Sequence, residues 1–211
     1  MDEKNILQLQ KYIRGYVCRQ QLRRLKDRMT LSLIQKLLNE YILYYRTVCE
    51  LNTSLLHKKI RHVNFPSEIS ENIVKFVFYK KYNIMPTWDT CVGDLQFGIG
   101  DSIISLEIKA FSSKGPTSFG PHERWDILYF LDATLFTELR FNVYECRLSN
   151  THPKWRQLKV NQRETYEDHC RQQRRPRLCF SEIQKQLGDD CQLIFKGILE
   201  KNEMINQLHN A

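Results

Sequence analysis

Between Ile6 and Met29 apolar side chains return every three or four residues, at Ile6, Leu9, Ile13, Tyr16, Val17 and Leu25. Arg14, Arg19, Arg23, Arg24, Lys26 and Arg28 cover much of the remaining surface, so this period predicts a basic amphipathic helix. A second and more apolar helical pattern, Leu31, Leu33, Ile34, Leu37, Leu38, Tyr41, Ile42, Tyr45 and Val48, suits an inner helix and runs out near Asn52. After the basic stretch His57 to His62, the cap-type residues Asn64 and Ser67 and the early Pro66 open a third helix through Ile69, Ile73, Val74, Val77 and Phe78. Pro86 marks its end.

The period then changes. Ile103, Ile104, Leu106 and Ile108, the run Ile127 to Leu131, and Phe141 to Tyr144 read as strands separated by Gly and Pro clusters. Beyond Ser149 the chain turns polar and basic, ahead of a short helical pattern from Ser181 to Leu187. No internal repeat or low-complexity tract interrupts the order. These elements predict an α/β (α+β) fold, a mixed sheet flanked by helices. A chain of 211 residues has material for one sizeable core. Residues 1–52 read as a basic helical region packed on a main domain of residues 53–211, which includes the basic segment 150–190.

Charge narrows the range of partners. The formal net charge is +8, and each Lys or Arg that neutralises a phosphate releases condensed counterions, so a nucleic acid is the leading candidate. No stretch approaches the ~20 apolar residues of a membrane span, and Met1 does not lead into a signal-like core, which predicts a soluble, cytoplasmic protein. Seven scattered cysteines without a CxxC pair suit free thiols in a reducing compartment.

The chemistry concentrates between Gly93 and Lys109. Gly98 and Gly100 sit where a hairpin would reverse, and folding about that turn brings Asp94 close to Glu107. Side chains alternate along a strand, so Ser105, Glu107 and Lys109 share one face while Ile104, Leu106, Ile108 and Ala110 form the apolar other. Two carboxylates held this close repel each other unless they share a hard divalent cation such as Mg²⁺. Such an ion lowers the pKa of a bound water, and a neighbouring ammonium adds positive charge, which together match phosphodiester hydrolysis. The spacing alone also suits an ordinary exposed cross-strand pair.

Asp94, twelve intervening residues and Glu107-Ile108-Lys109 resemble the PD-(D/E)XK nuclease signature, in the form found in small type II restriction endonucleases. Three further blocks share the resemblance: Phe65 to Asn72, Gly115 to Pro121 with Trp125-Asp126, and Arg174-Arg175-Pro176-Arg177. It spans about Val63 to Leu187. The resemblance implies a restriction-endonuclease-like core, with Asp94 and Glu107 as ligands of Mg²⁺, for which Mn²⁺ can substitute. It also makes Lys109 the group beside the attacking water, and Glu71, ahead of Glu68, an accessory carboxylate. Gly93 stands where the signature has proline, which leaves Asp89 and Asp101 open beside Asp94.

Lys114, Thr117 and Ser118 follow the catalytic strand on a loop of hydroxyls and free amides that suits phosphate contact, with His122 and Arg124 assisting. Arg174, Arg175 and Arg177 are able to fork onto guanine O6 and N7, or to touch phosphates alone. Together these features predict Mg²⁺-dependent cutting of both strands of double-stranded DNA at a short G/C-containing site by a homodimer, since paired antiparallel strands favour a twofold protein. Two other readings stay open: a structure-selective or repair nuclease on the same scaffold, and an adaptor with a spent core. The second arises because Leu9 to Arg19 resembles the IQ motif, which implies a calmodulin-like partner for that basic helix.

Overall fold

The computed structural model describes residues 35–54, 60, 64–88 and 93–198. The basic helix expected over 6–29 lies outside them. Residues 35–53 are helical (α1) and bury Leu38, Tyr41, Ile42 and Val48, four of the positions that the helical period marks as inner. α2, Ser67–Tyr82, follows Pro66, whose fixed φ suits a helix start, and buries Ile69, Ile73, Val74, Val77 and Phe78. It ends ahead of Pro86: Asn83 takes φ 55°, and its N–H closes the helix onto the Tyr79 carbonyl at 2.8 Å.

The remaining elements are β1 (Thr87–Trp88), β2 (Leu95–Ile99), β3 (Ser102–Phe111), β4 (Thr117–Ser118), β5 (Ile127–Leu135), β6 (Arg140–Cys146), α3 (Pro153–Arg156), α4 (Tyr166–Arg171), β7 (Arg177–Leu178), α5 (Phe180–Leu187) and β8 (Cys191–Ile198). Six strands form a mixed sheet in the order β1-β2-β3-β5-β6-β8, and β4 pairs with β7 in a separate ribbon. β3 and β5 run parallel while the other neighbours are antiparallel. Asp126 fixes the start of the parallel pair: its carboxylate accepts the Ser105 N–H at 2.9 Å, and its own N–H donates to the Ser105 carbonyl at 3.0 Å.

Alternation divides the sheet into two cores. Leu106 and Ile108 of β3, Tyr129 and Leu131 of β5, and Phe141 and Val143 of β6 pack with α1 and α2. Leu128 and Phe130, one residue out of phase, pack instead under Phe119, Trp125, Trp155, Tyr166 and Ile183. That second layer draws on residues 150–190, a segment polar and basic in composition. Its basic surface hides a sparse apolar set, Trp155, Leu158, Tyr166, Leu178, Ile183 and Leu187, all buried. Short helices carry this set: His152 caps α3 by accepting the Lys154 N–H, and Thr165 and Asp168 form a reciprocal capping box on α4. Among the described residues no helix is long and apolar enough to cross a membrane.

Candidate active site

The β2–β3 hairpin turns at Gly100 and Asp101, with Ile99 opposite Ser102 and Gly100 at φ 58°, a conformation that glycine adopts without strain. Gly98, expected at the reversal, belongs to β2 opposite Ile103. Asp101 is exposed in the turn, at the far end of β3 from Glu107, and Asp89 lies outside the described residues.

At the other end β2 begins with Leu95 opposite Leu106, while β3 runs on to Phe111. Asp94 occupies the next rung. Its N–H donates to the Leu106 carbonyl at 3.0 Å, and its Oδ2 accepts the Ile108 N–H at 2.7 Å, so a carboxylate replaces the missing strand partner. Gly93 lets the chain come this close: a Cβ there would stand 2.8 Å from the Leu106 carbonyl oxygen. The residue that departs from the nuclease signature is therefore a close-approach glycine. Gly93→Ala is expected to cost about 1–3 kcal/mol by forced displacement; thermal melting checks it, and an unchanged Tm would refute it.

Glu107 and Lys109 leave β3 on the face opposite α2. Glu107 is 7% exposed, and its Oε1 accepts a hydrogen bond from the Lys109 ammonium at 2.5 Å. Burial pushes the Glu107 carboxyl up to about 7, with Asp94 adding to the rise and Lys109 opposing it. Glu71 reaches the same region from α2; burial, with help from Asp94, Glu68 and Glu107, raises its carboxyl to about 8. Burial would lower the Lys109 pKa, but Glu107 and Glu123 outweigh it and hold the amine charged. The structure thus brings the four sequence-predicted residues Glu71, Asp94, Glu107 and Lys109 into one electrostatic cluster.

Glu123 escapes the sequence reading. Its Oε2 lies 3.0 Å from Lys109 Nζ, in an ion pair that crosses from the loop after β4 to β3. No spacing rule points to it, because only tertiary folding joins these segments. Among the described residues no three His, Cys, Asp or Glu side chains are gathered closely enough to hold an ion as they stand. Glu71, Asp94 and Glu107 nevertheless offer carboxylate oxygens, the donor type a hard divalent cation takes; burial first, and then their mutual charge, raises the pKa of Glu71 and Glu107.

Beside the cluster opens a cleft of about 440 Å³, lined by the start of α2, the end of β3, the loop after it and Arg177. The β4–β7 ribbon forms its outer wall, with Ser118 opposite Arg177 and Thr117 opposite Leu178, so the hydroxyl loop and the basic segment meet. Pro176 is buried, and its carbonyl accepts the Phe119 N–H at 3.0 Å. Arg175 and Arg177, two residues apart on extended chain, are exposed, and neither guanidinium has a polar partner among the described residues. Lys114 is exposed as well. Arg174 differs: its guanidinium is paired with Glu164, which also faces His169.

The acids and the amine of β3 stand beside a cleft that Arg177 also lines. The chain belongs to the Bsp6I restriction endonuclease family, whose sequence model it matches over residues 34–187. No curated protein and no solved structure gives a match. The family match covers the helical layer, the hairpin, the cleft and the ribbon. The IQ-like stretch Leu9 to Arg19 lies ahead of it and outside the described residues.

Proposed function

We propose that this endonuclease is a type II restriction enzyme that hydrolyses both strands of a short, G/C-containing site in double-stranded DNA with Mg²⁺ as cofactor, acting in the cytoplasm as a homodimer. The observation that carries the reading is the Asp94 carboxylate seated on the edge of β3 at the rung of Glu107, with Lys109 one pleat farther on. Asp94 and Glu107 would hold the ion, with Glu71 as the accessory carboxylate. A bound divalent cation supplies an acidified water and shields charge on the phosphodiester.

The chain's own groups do the rest. Lys109, charged and fixed at the end of β3, sits where it can orient a nucleophilic water and stabilise negative charge on the phosphate. Lys114, Thr117 and Ser118 present one ammonium and two hydroxyls to the DNA backbone. Arg175 and Arg177, exposed and without a polar partner among the described residues, carry guanidinium forks that suit guanine O6 and N7, and Pro176 stiffens the segment between them. Arg174 reaches DNA only by giving up Glu164. Cutting both strands at one site calls for two copies about a twofold axis, because the strands run in opposite directions.

The test is incubation of the full-length protein with unmodified plasmid and mixed genomic DNA, with Mg²⁺ or with a chelator, followed by end sequencing. Discrete fragments with 5′-phosphate ends at one recurring G/C-containing site, and none with chelator, are expected. Fragments without a common site would refute sequence-specific cutting, and cleavage that survives chelation would refute the metal.

A further inference from the structure

Lys109 is held on three sides. Glu107 Oε1 lies 2.5 Å from its ammonium, Glu123 Oε2 lies 3.0 Å away, and the Phe119 ring stands beneath at 5.6 Å. The first contact comes from the same strand, two residues back. Glu123 comes from elsewhere, on the loop that joins β4 to β5, and that loop is fastened on both sides of it. The Glu123 N–H donates to the Gly120 carbonyl at 3.3 Å, and the Asn150 side-chain amide donates to the Glu123 carbonyl at 2.9 Å. Gly120 makes room for the side chain: a Cβ there would come within 3.0 Å of Glu123 Cγ and Oε1. The result is a carboxylate oxygen shut off from water that forms no hydrogen bond of good geometry among the described residues and faces the ammonium as an ion pair. Burying such an oxygen is costly unless its counter-charge stays in place.

The two acids have different duties. Glu107 stands among the other carboxylates, where a divalent cation would compete with Lys109 for its oxygens. Glu123 reaches the amine from the loop between β4 and β5. A four-carbon side chain released from Glu107 has many rotamers to occupy, and a reacting group displaced by about 1 Å can lose on the order of 10²-fold in rate.

We propose that Glu123 is a positioning residue for Lys109, keeping the ammonium at the end of β3 when Glu107 is engaged elsewhere. The proposal rests on the nuclease reading of the site. Glu123→Gln preserves size and removes the charge; Glu123→Ala removes the group. Each is compared with the wild type in single-turnover DNA cleavage, in DNA affinity with Ca²⁺ in place of Mg²⁺, and in the ¹⁵N resonance of the Lys109 ammonium in metal-free protein. The cleavage rate of both variants is expected to fall roughly 10- to 100-fold with DNA affinity held within about twofold, and the Lys109 resonance to shift or vanish. A wild type that cuts alongside a Glu123→Gln protein that cuts within about twofold of it would overturn the positioning role alone. A parallel loss of DNA affinity would mark a merely structural residue and also overturn it. Should the wild type cut no DNA, the nuclease reading fails, and the resonance decides the positioning: unmoved in Glu123→Gln, it refutes the proposal; shifted, it upholds the contact. If Glu123→Ala does not fold, Glu123→Gln carries the test.

Discussion

Replacing Glu107 with alanine is expected to slow DNA cleavage by at least roughly 10³-fold, the scale seen when a preorganised charge at a reacting centre is removed. The chain should still fold. Glu107 packs among charged neighbours, and its loss leaves Lys109 its second partner, Glu123, so no buried ammonium is stranded. DNA affinity should hold, since Glu107 is buried and the exposed Lys114, Arg175 and Arg177 are untouched. Lys109→Ala is the harsher change to the fold: it removes the cation that pairs with both Glu107 and Glu123. Single-turnover cleavage of plasmid, with affinity measured in Ca²⁺ and folding checked by circular dichroism, separates these effects. A Glu107→Ala protein that cuts at close to the wild-type rate would remove this carboxylate from the chemistry, and a core whose signature is spent would behave that way.

The hairpin was legible because it is local. Two strands joined by a short turn must pair near that turn, and alternation then decides which side chains share a face, so Asp94 and Glu107 follow from spacing. The same holds for α2, whose period of 3.6 is carried by branched and aromatic side chains on one face. Other features depend on contacts between segments distant in sequence. Glu123 meets Lys109 across a loop whose path is set by Asn150 and by the packing of Phe119 on Trp125 and Trp155. Strand β8 was not read because it is an edge strand: Leu193 and Ile198 are exposed, and Lys196 and Gly197 break the alternation. Residues 150–190 show the limit of composition. Their arginines and lysines dominate the count, yet Trp155, Tyr166 and Ile183 seat the whole segment on the sheet. The three arginines of the basic block look equivalent in sequence, and only the fold separates Arg174, taken by Glu164, from the open pair Arg175 and Arg177.

The crowded carboxyls make the stability of the metal-free protein fall as pH rises. Glu71 and Glu107 have folded-state pKa values of about 8 and about 7, above the ordinary carboxylate value near 4.5. A raised folded pKa means that the native state holds these protons after the unfolded chain has released them. Their contribution is therefore fully present below about pH 4.5 and is lost as pH climbs through 7 and then 8. Burial is the first cause for both; Asp94, Glu68 and Glu107 add to it around Glu71, and Asp94 and Glu123 act against Lys109 around Glu107. Each carboxyl keeps some contact with water, so the full 1.36 kcal/mol per pKa unit is discounted, to a loss of roughly 2–5 kcal/mol between pH 5 and pH 9. For a chain of this length that is on the order of 5–15 °C in Tm. Thermal melts across this pH range with chelator present should show the decline, and Glu71→Gln should flatten its upper part because an amide has no proton to lose. Added Mg²⁺ should raise Tm most at high pH, where both carboxyls are ionised and repulsion is greatest. A Glu71→Gln melt that follows the wild-type slope from pH 7 to 9 would show that Glu71 lies outside the charge cluster.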